Sequence, residues 1–167
     1  MPSYLSFARF YDGLMQDACY EKRCGYILEI AEKFRHDMGI TLDLACGTGT
    51  LTRLLKKRGV DVFGIDYSME MLSEAMQSAS KEGLDILFLR QKMQSIDLYG
   101  TINTCVCTLD SINHLTKIED VAKTFDRVGL FMDDDGLFIF DVNTVYKHKN
   151  VLADNTRTYS FGVNVKF

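Results

Sequence analysis

The stretch 41–55, TLDLACGTGTLTRLL, decides how this chain is read. Leucines alternate through its first part and run straight into Gly47-Thr48-Gly49. Leu51, Leu54 and Leu55 then recur at helical spacing. The pattern predicts a strand, a glycine loop and a helix. In an open α/β sheet a ligand sits beyond the carboxyl ends of the strands, so this loop is the first place to look for one.

A dinucleotide fingerprint asks for Gly-x-Gly-x-x-Gly, whose third glycine lets the helix pack closely on the strand. Here that place is taken by Thr52. Asp43, inside the strand, would face a pyrophosphate with like charge and suits a ligand that carries an ammonium group. Asp66 ends the next strand, 17 residues past Gly49. There a carboxylate can accept both hydroxyls of an adenosine ribose. Adenosine joined to an amino acid fits both acids.

Outward from the loop, helices and strands alternate. The spacing predicts a helix over 20–38 that stops at Gly39, a strand over 40–46, and a helix over 49–58 ended by Gly59. A strand over 60–66 precedes a helix capped by Ser68, which buries Met69, Leu72, Ala75, Met76 and Ala79 and ends at Gly83. Further strands are expected at 85–90, 101–109 and 136–142, with a helix at about 117–131 presenting Val121, Phe125 and Val128 on one face. Nearly all-apolar strands alternating with helices mean a doubly wound α/β fold: a parallel sheet with helices on both faces. In the tail, Tyr159, Phe161, Val163, Val165 and Phe167 alternate with polar residues or glycine, which predicts a half-buried strand over 158–167. Such a strand pairs within the sheet or with another chain, so self-association through it is an open expectation.

The bulk numbers agree with one folded domain. The chain has 167 residues, 47% hydrophobic and 25% charged, with a formal net charge of −4. Without a lysine or arginine run there is no electrostatic footprint for nucleic acid or an anionic membrane, and a small-molecule substrate is expected. The first residues lack a basic segment followed by an apolar one, and no apolar run approaches the roughly 18 residues of a membrane span. A cytoplasmic location is therefore expected. Cys19, Cys24, Cys46, Cys105 and Cys107 lack metal-site spacing and read as reduced thiols with no metal site, and Cys105 and Cys107, on the same side of a strand, read as core packing.

LDLACGTG and the acid of GIDYSMEML resemble motif I and the following acid of class I S-adenosylmethionine-dependent methyltransferases. FARFYDGLMQDACYEK, CTLDSINHL and FIFDVNTVYK are similar to matching segments of one group of small bacterial members. The likeness covers about residues 4–150 and implies a Rossmann-like methyltransferase domain over 1–150. In that family the sheet continues to sixth and seventh strands, so the resemblance implies that the last strands of the family sheet are lacking here. The tail 151–167 would then begin a missing lid or further sheet.

By resemblance, Asp43 lies near the methionine moiety, Ala45, Gly47 and Gly49 line it, and Asp66 holds the ribose. Met71 and Met93 flank the adenine, Leu109 and Asp110 close the methionyl side, and Tyr11 forms part of a lid. Lys92 stands where the family commonly has an aspartate, and an ammonium cannot accept a hydrogen bond from the adenine amino group. Arg23 replaces a usual tryptophan, Ile102-Asn103 a usual Phe-Asp, and Asp135 the first of two glycines.

The activity implied is methyl transfer from S-adenosylmethionine, leaving S-adenosylhomocysteine, to an unidentified small molecule. Where the acceptor begins protonated a general base is needed, and Asp110 and His114, just past the fourth strand, are the catalytic candidates. His36 and His148 read as surface residues. Two other functions remain open: a non-catalytic binding or assembly module that pairs through its terminal strand, and a nicotinamide-dependent oxidoreductase, which Thr52 and Asp43 disfavour.

Overall fold

A computed structural model describes residues 19–144 together with Lys149. Tyr11, His148, the 150/151 boundary and the expected strand 158–167 lie outside the described residues. The strands are β1 (Ile40–Leu44), β2 (Asp61–Asp66), β3 (Phe88–Arg90), β4 (Ile102–Cys107) and β5 (Met132–Phe140). They form one parallel sheet in the order β3-β2-β1-β4-β5. Strand order reverses between β1 and β4, and that reversal opens a crevice at their carboxyl ends.

Both faces of the sheet are covered, which is why its central strands read as nearly continuous apolar runs. On one face Leu42, Leu44, Ile65, Cys105 and Cys107 pack with Ile96 and with Val128 of helix α4 (Ile118–Phe131). On the other, Val62 and Val106 meet Cys24 and Ile27 of α1 (Tyr20–Lys33) and Leu51 and Leu55 of α2 (Thr50–Lys57). Helix α3 (Met69–Lys81) buries Leu72, Ala75 and Ala79, and Ser68 caps it by accepting the Met71 N–H at 3.2 Å. The doubly wound parallel α/β architecture expected from the sequence is the one observed. Among the described residues no helix is long and apolar enough to cross a membrane.

Several boundaries differ from the expected ones. Helix α1 stops at Lys33 rather than 38, because Arg35 enters the left-handed region at φ 53 and His36 N–H closes back on the Ala31 carbonyl at 2.9 Å. This is a Schellman end built on arginine, a residue that gives no glycine signal. His36 is not an ordinary surface residue: its Nε2 pairs with Thr104 Oγ1 at 2.9 Å. Met69 and Met76 are 49% and 46% exposed, since the short side chains of Ala75 and Ala79 bring α3 close to the sheet and leave both methionines outside. Strand β3 shrinks to three residues.

Strand β5 begins four residues earlier than expected and contains an irregularity. Ile102 pairs with Met132 but Thr104 with Leu137, so Asp133-Asp134-Asp135-Gly136 bulge away from the ladder. Three successive acids look like a loop in sequence; Asn103 nevertheless ties the segment down, its Nδ2 donating to Asp133 at 2.9 Å while its Oδ1 accepts Ile40 N–H at 2.9 Å.

Candidate functional site

The loop leaving β1 turns sharply because Ala45, Gly47 and Gly49 all lie in the left-handed region, at φ 63, 56 and 68. The two glycines serve different ends. A Cβ on Gly47 would meet no heavy atom of the described residues within 4 Å, so these leave this part of the loop open. A Cβ on Gly49 would lie 3.0 Å from Ala75 Cβ and from the Phe88 ring, so glycine is required there by packing. Gly49→Ala is expected to cost about 2–5 kcal/mol, combining the left-handed penalty with overpacking. Gly47→Ala, which meets only the backbone penalty, should cost about 1–2 kcal/mol. Urea unfolding of both variants checks the ranking.

Asp43 belongs to the central strand and is 3% exposed. Thr52 Oγ1, one turn into α2, donates to its Oδ2 at 2.6 Å. The position that a dinucleotide loop would give to glycine thus holds a hydroxyl that binds the strand acid, a role the sequence reading did not assign. Burial pushes the Asp43 carboxyl up to about 7; the Thr52 hydrogen bond pulls the other way, and the negative charge of Asp66 adds to the rise.

Asp66 ends the neighbouring strand and joins the two loops. Its Oδ2 accepts Gly47 N–H at 2.9 Å and its Oδ1 accepts Ser68 N–H at 2.8 Å, which leaves further lone pairs on each oxygen. Among the described residues neither Asp43 nor Asp66 has an ion-pair partner. Cys46 sits between them, its thiol pushed well up by burial and by the charges of Asp43 and then Asp66, so it is no nucleophile. This end of the sheet is electronegative and suits a cation.

Across the crevice, the chain leaving β4 makes a second corner. Leu109 and Asp110 are successive left-handed residues, φ 60 and 61, each at a cost of about 1–2 kcal/mol for a side chain with Cβ. Asp141, directly after β5, accepts both of their N–H groups, Leu109 on Oδ2 at 3.0 Å and Asp110 on Oδ1 at 2.9 Å. Arg23 of α1 closes on the same carboxylate, Nη1 to Oδ2 at 2.6 Å. Asp141 had no role in the sequence reading, because nothing in FIFDVN shows that its acid reaches two amides of another strand's loop. His114 ends the short 3-10 turn after this corner and is exposed; Asp110, at its start, is half-buried.

Sheet order thus brings Ala45, Gly47, Asp66, Leu109 and Asp110 to the carboxyl ends of three adjacent strands, with Asp43 in the strand beneath. Met71 lies half-buried in the first turn of α3. Met93 is half-buried against the core, its Sδ 4.0 Å from Cys107 Sγ, so it also serves as packing. Lys92 is exposed, and its Nζ rests 4.9 Å from the centre of the Tyr67 ring, next to Arg90 at 5.3 Å. None of the five cysteines forms a disulfide, and Cys24, Cys105 and Cys107 are buried in the core.

Comparison with known proteins meets this geometry. A family profile described as a methyltransferase domain matches residues 41–136, from β1 to the glycine before the last stretch of β5. The chain belongs to the S-adenosylmethionine-dependent methyltransferase family. Its methyltransferase domain is 39% identical over 154 residues to YqeM of Bacillus subtilis (strain 168), provisionally named a methyltransferase, covering 92% of this chain and 60% of that protein. It is 33% identical over 153 residues to a similarly named protein of Geobacillus sp. (strain WCH70), covering 91% and 62%.

Among solved structures it is similar to an S-adenosylmethionine-dependent methyltransferase from Clostridium acetobutylicum. The TM-score is 0.81 at 33% identity, over 95% of this chain and 65% of that one. The fold alone is shared with CalS10, an amino pentose methyltransferase from Micromonospora echinaspora solved with S-adenosylmethionine bound, at TM-score 0.73 and 17% identity over 80% and 56% of the two chains. The methyltransferase domain spans about 60% of the length of the curated relatives it matches.

Proposed function

We propose that this methyltransferase domain binds S-adenosylmethionine across the carboxyl ends of β1, β2 and β4 and transfers its methyl group to a small-molecule acceptor. The observation that carries the reading is the pair Asp43 and Asp66: two carboxylates without ion-pair partners among the described residues, flanking a glycine loop that those residues leave open at Gly47. Such a site attracts a ligand with an ammonium and a sulfonium and repels a pyrophosphate. When bound, S-adenosylmethionine supplies a sulfonium methyl whose departure leaves the neutral thioether S-adenosylhomocysteine.

In this reading the Asp43 carboxylate faces the ligand ammonium, and Asp66 accepts the two ribose hydroxyls with the lone pairs that Gly47 and Ser68 leave over. The backbone of Ala45, Gly47 and Gly49 lines the methionine moiety. Met71 and Met93 flank the adenine, with Lys92 stacked away on Tyr67 rather than bonded to it. Leu109 closes the methionyl side and Tyr11 belongs to a lid. Alignment of acceptor and methyl supplies most of the acceleration, on the order of 7–11 kcal/mol for well-positioned reactants. An acceptor that begins protonated gives its proton to the Asp110 carboxylate, or to the His114 ring from the solvent side. The setting proposed is the cytoplasm, with neither nucleic acid nor membrane as partner.

Calorimetric titration tests the reading. Micromolar binding of S-adenosylmethionine and S-adenosylhomocysteine, with no heat from NADH, is the expected result. Binding of NADH alone would return the site to the nicotinamide oxidoreductases.

A further inference from the structure

We infer that Asp141 is a positioning residue for the proposed cofactor site, acting through the Leu109-Asp110 corner. The inference rests on the reading above, in which that corner closes the methionyl side. One carboxylate at the end of β5 gathers three donors: Leu109 N–H at 3.0 Å, Asp110 N–H at 2.9 Å and Arg23 Nη1 at 2.6 Å. The two amides belong to successive residues that hold φ near +60; aspartate enters this region more readily than most residues, but a leucine adopts it only where surrounding contacts impose it. Asp141 is the contact that imposes it. Its own N–H is tied to the Cys107 carbonyl at 3.2 Å, so the carboxylate is referenced to the sheet and not to a loose tail.

Arg23 has a distinct part. It reaches from α1 to the end of β5, and at 2.6 Å it holds the Asp141 side chain in the one orientation that serves both amides. The Arg23 and Asp141 side chains are 30% and 33% exposed, so the pair is only partly open to solvent. An asparagine at 141 would keep one acceptor oxygen and present an amide donor to the other N–H. It removes the clamp while nearly preserving volume.

The test is Asp141→Asn in the full chain. Two readouts are taken well below the unfolding temperature: the amide proton resonances of Leu109 and Asp110, and the affinity for S-adenosylhomocysteine by calorimetry. Both amides should lose the downfield shift that a carboxylate acceptor confers, and the dissociation constant should rise about tenfold, the worth of one charge-assisted hydrogen bond. A lower melting temperature with unchanged affinity of the folded protein would make Asp141 a structural residue only and overturn the proposal. If Asp141→Asn does not fold, Arg23→Gln carries the test: freeing the carboxylate should weaken binding about threefold, and unaltered affinity overturns the proposal. Failure of the wild-type chain to bind S-adenosylhomocysteine marks failure of the cofactor reading itself, and the positioning role falls with it.

Discussion

Asp43→Asn should make the ligand-free domain more stable at pH 8 than the wild type, relative to pH 4, by up to about 4 kcal/mol. The carboxyl is buried and its folded value lies near 7, against 3.8 for an ordinary aspartate. Between those values the folded chain holds a proton that the unfolded chain has released. Stability therefore falls as pH rises through that window, and the loss is complete above the folded value. Asparagine cannot ionise and escapes the loss. Its Oδ1 can still accept from Thr52, but its NH₂ is buried without an assured acceptor, which costs about 1–3 kcal/mol at every pH. The decisive quantity is thus the change in the stability difference between pH 4 and pH 8, by urea unfolding, in which carboxylates not coupled to Asp43 cancel. Parallel pH profiles for the two proteins would remove Asp43 as the titrating group. In the reading proposed here the same substitution removes the partner of the ligand ammonium, so stability and affinity move in opposite directions. An active-site acid held at a cost to the fold is an ordinary compromise between the two.

The second large effect is expected at Asp66. Asp66→Ala deletes the acceptor for Gly47 N–H and Ser68 N–H together with the proposed partner of two ribose hydroxyls. Hydrogen bonds to a charged group contribute about 1.5–3 kcal/mol each, so the dissociation constant for S-adenosylhomocysteine should rise about 100-fold or more. Calorimetry measures the affinity and a thermal melt confirms that the variant remains folded. A change of less than about threefold would leave Asp66 as a loop cap alone and sink the ribose assignment.

These two acids show how far a one-dimensional reading reaches. Both were found from position: one within an apolar strand that runs into a glycine loop, the other ending the next strand at a telling distance. What each does inside the protein was invisible. Thr52 counted in the sequence only as a missing glycine, whereas in the fold its hydroxyl caps Asp43. Gly49 looked like a ligand-facing residue, and its bare Cα answers first to Ala75 and Phe88. Met76 fell on an apolar helical stripe and lies outside. Each of these facts depends on which element sits across from the residue, and spacing along one element carries no such information.

The alternation of apolar strands with helices was enough to determine a doubly wound parallel sheet, because a strand buried on both faces admits hardly any polar residue and only crossover helices can cover it. The motif at 41–55 with Asp66 was enough to point to the methyltransferase family, since a strand, its glycine loop and a spaced acid are local features of the chain. Tertiary structure alone decided the rest: that the acidic run at 133–135 bulges from β5, that helix α1 ends on a left-handed arginine, and that Asp141 holds Leu109 and Asp110. The reason is physical. A hydrogen bond between residues 31 or 32 positions apart is set by sheet order and register, and these emerge only when the whole core packs.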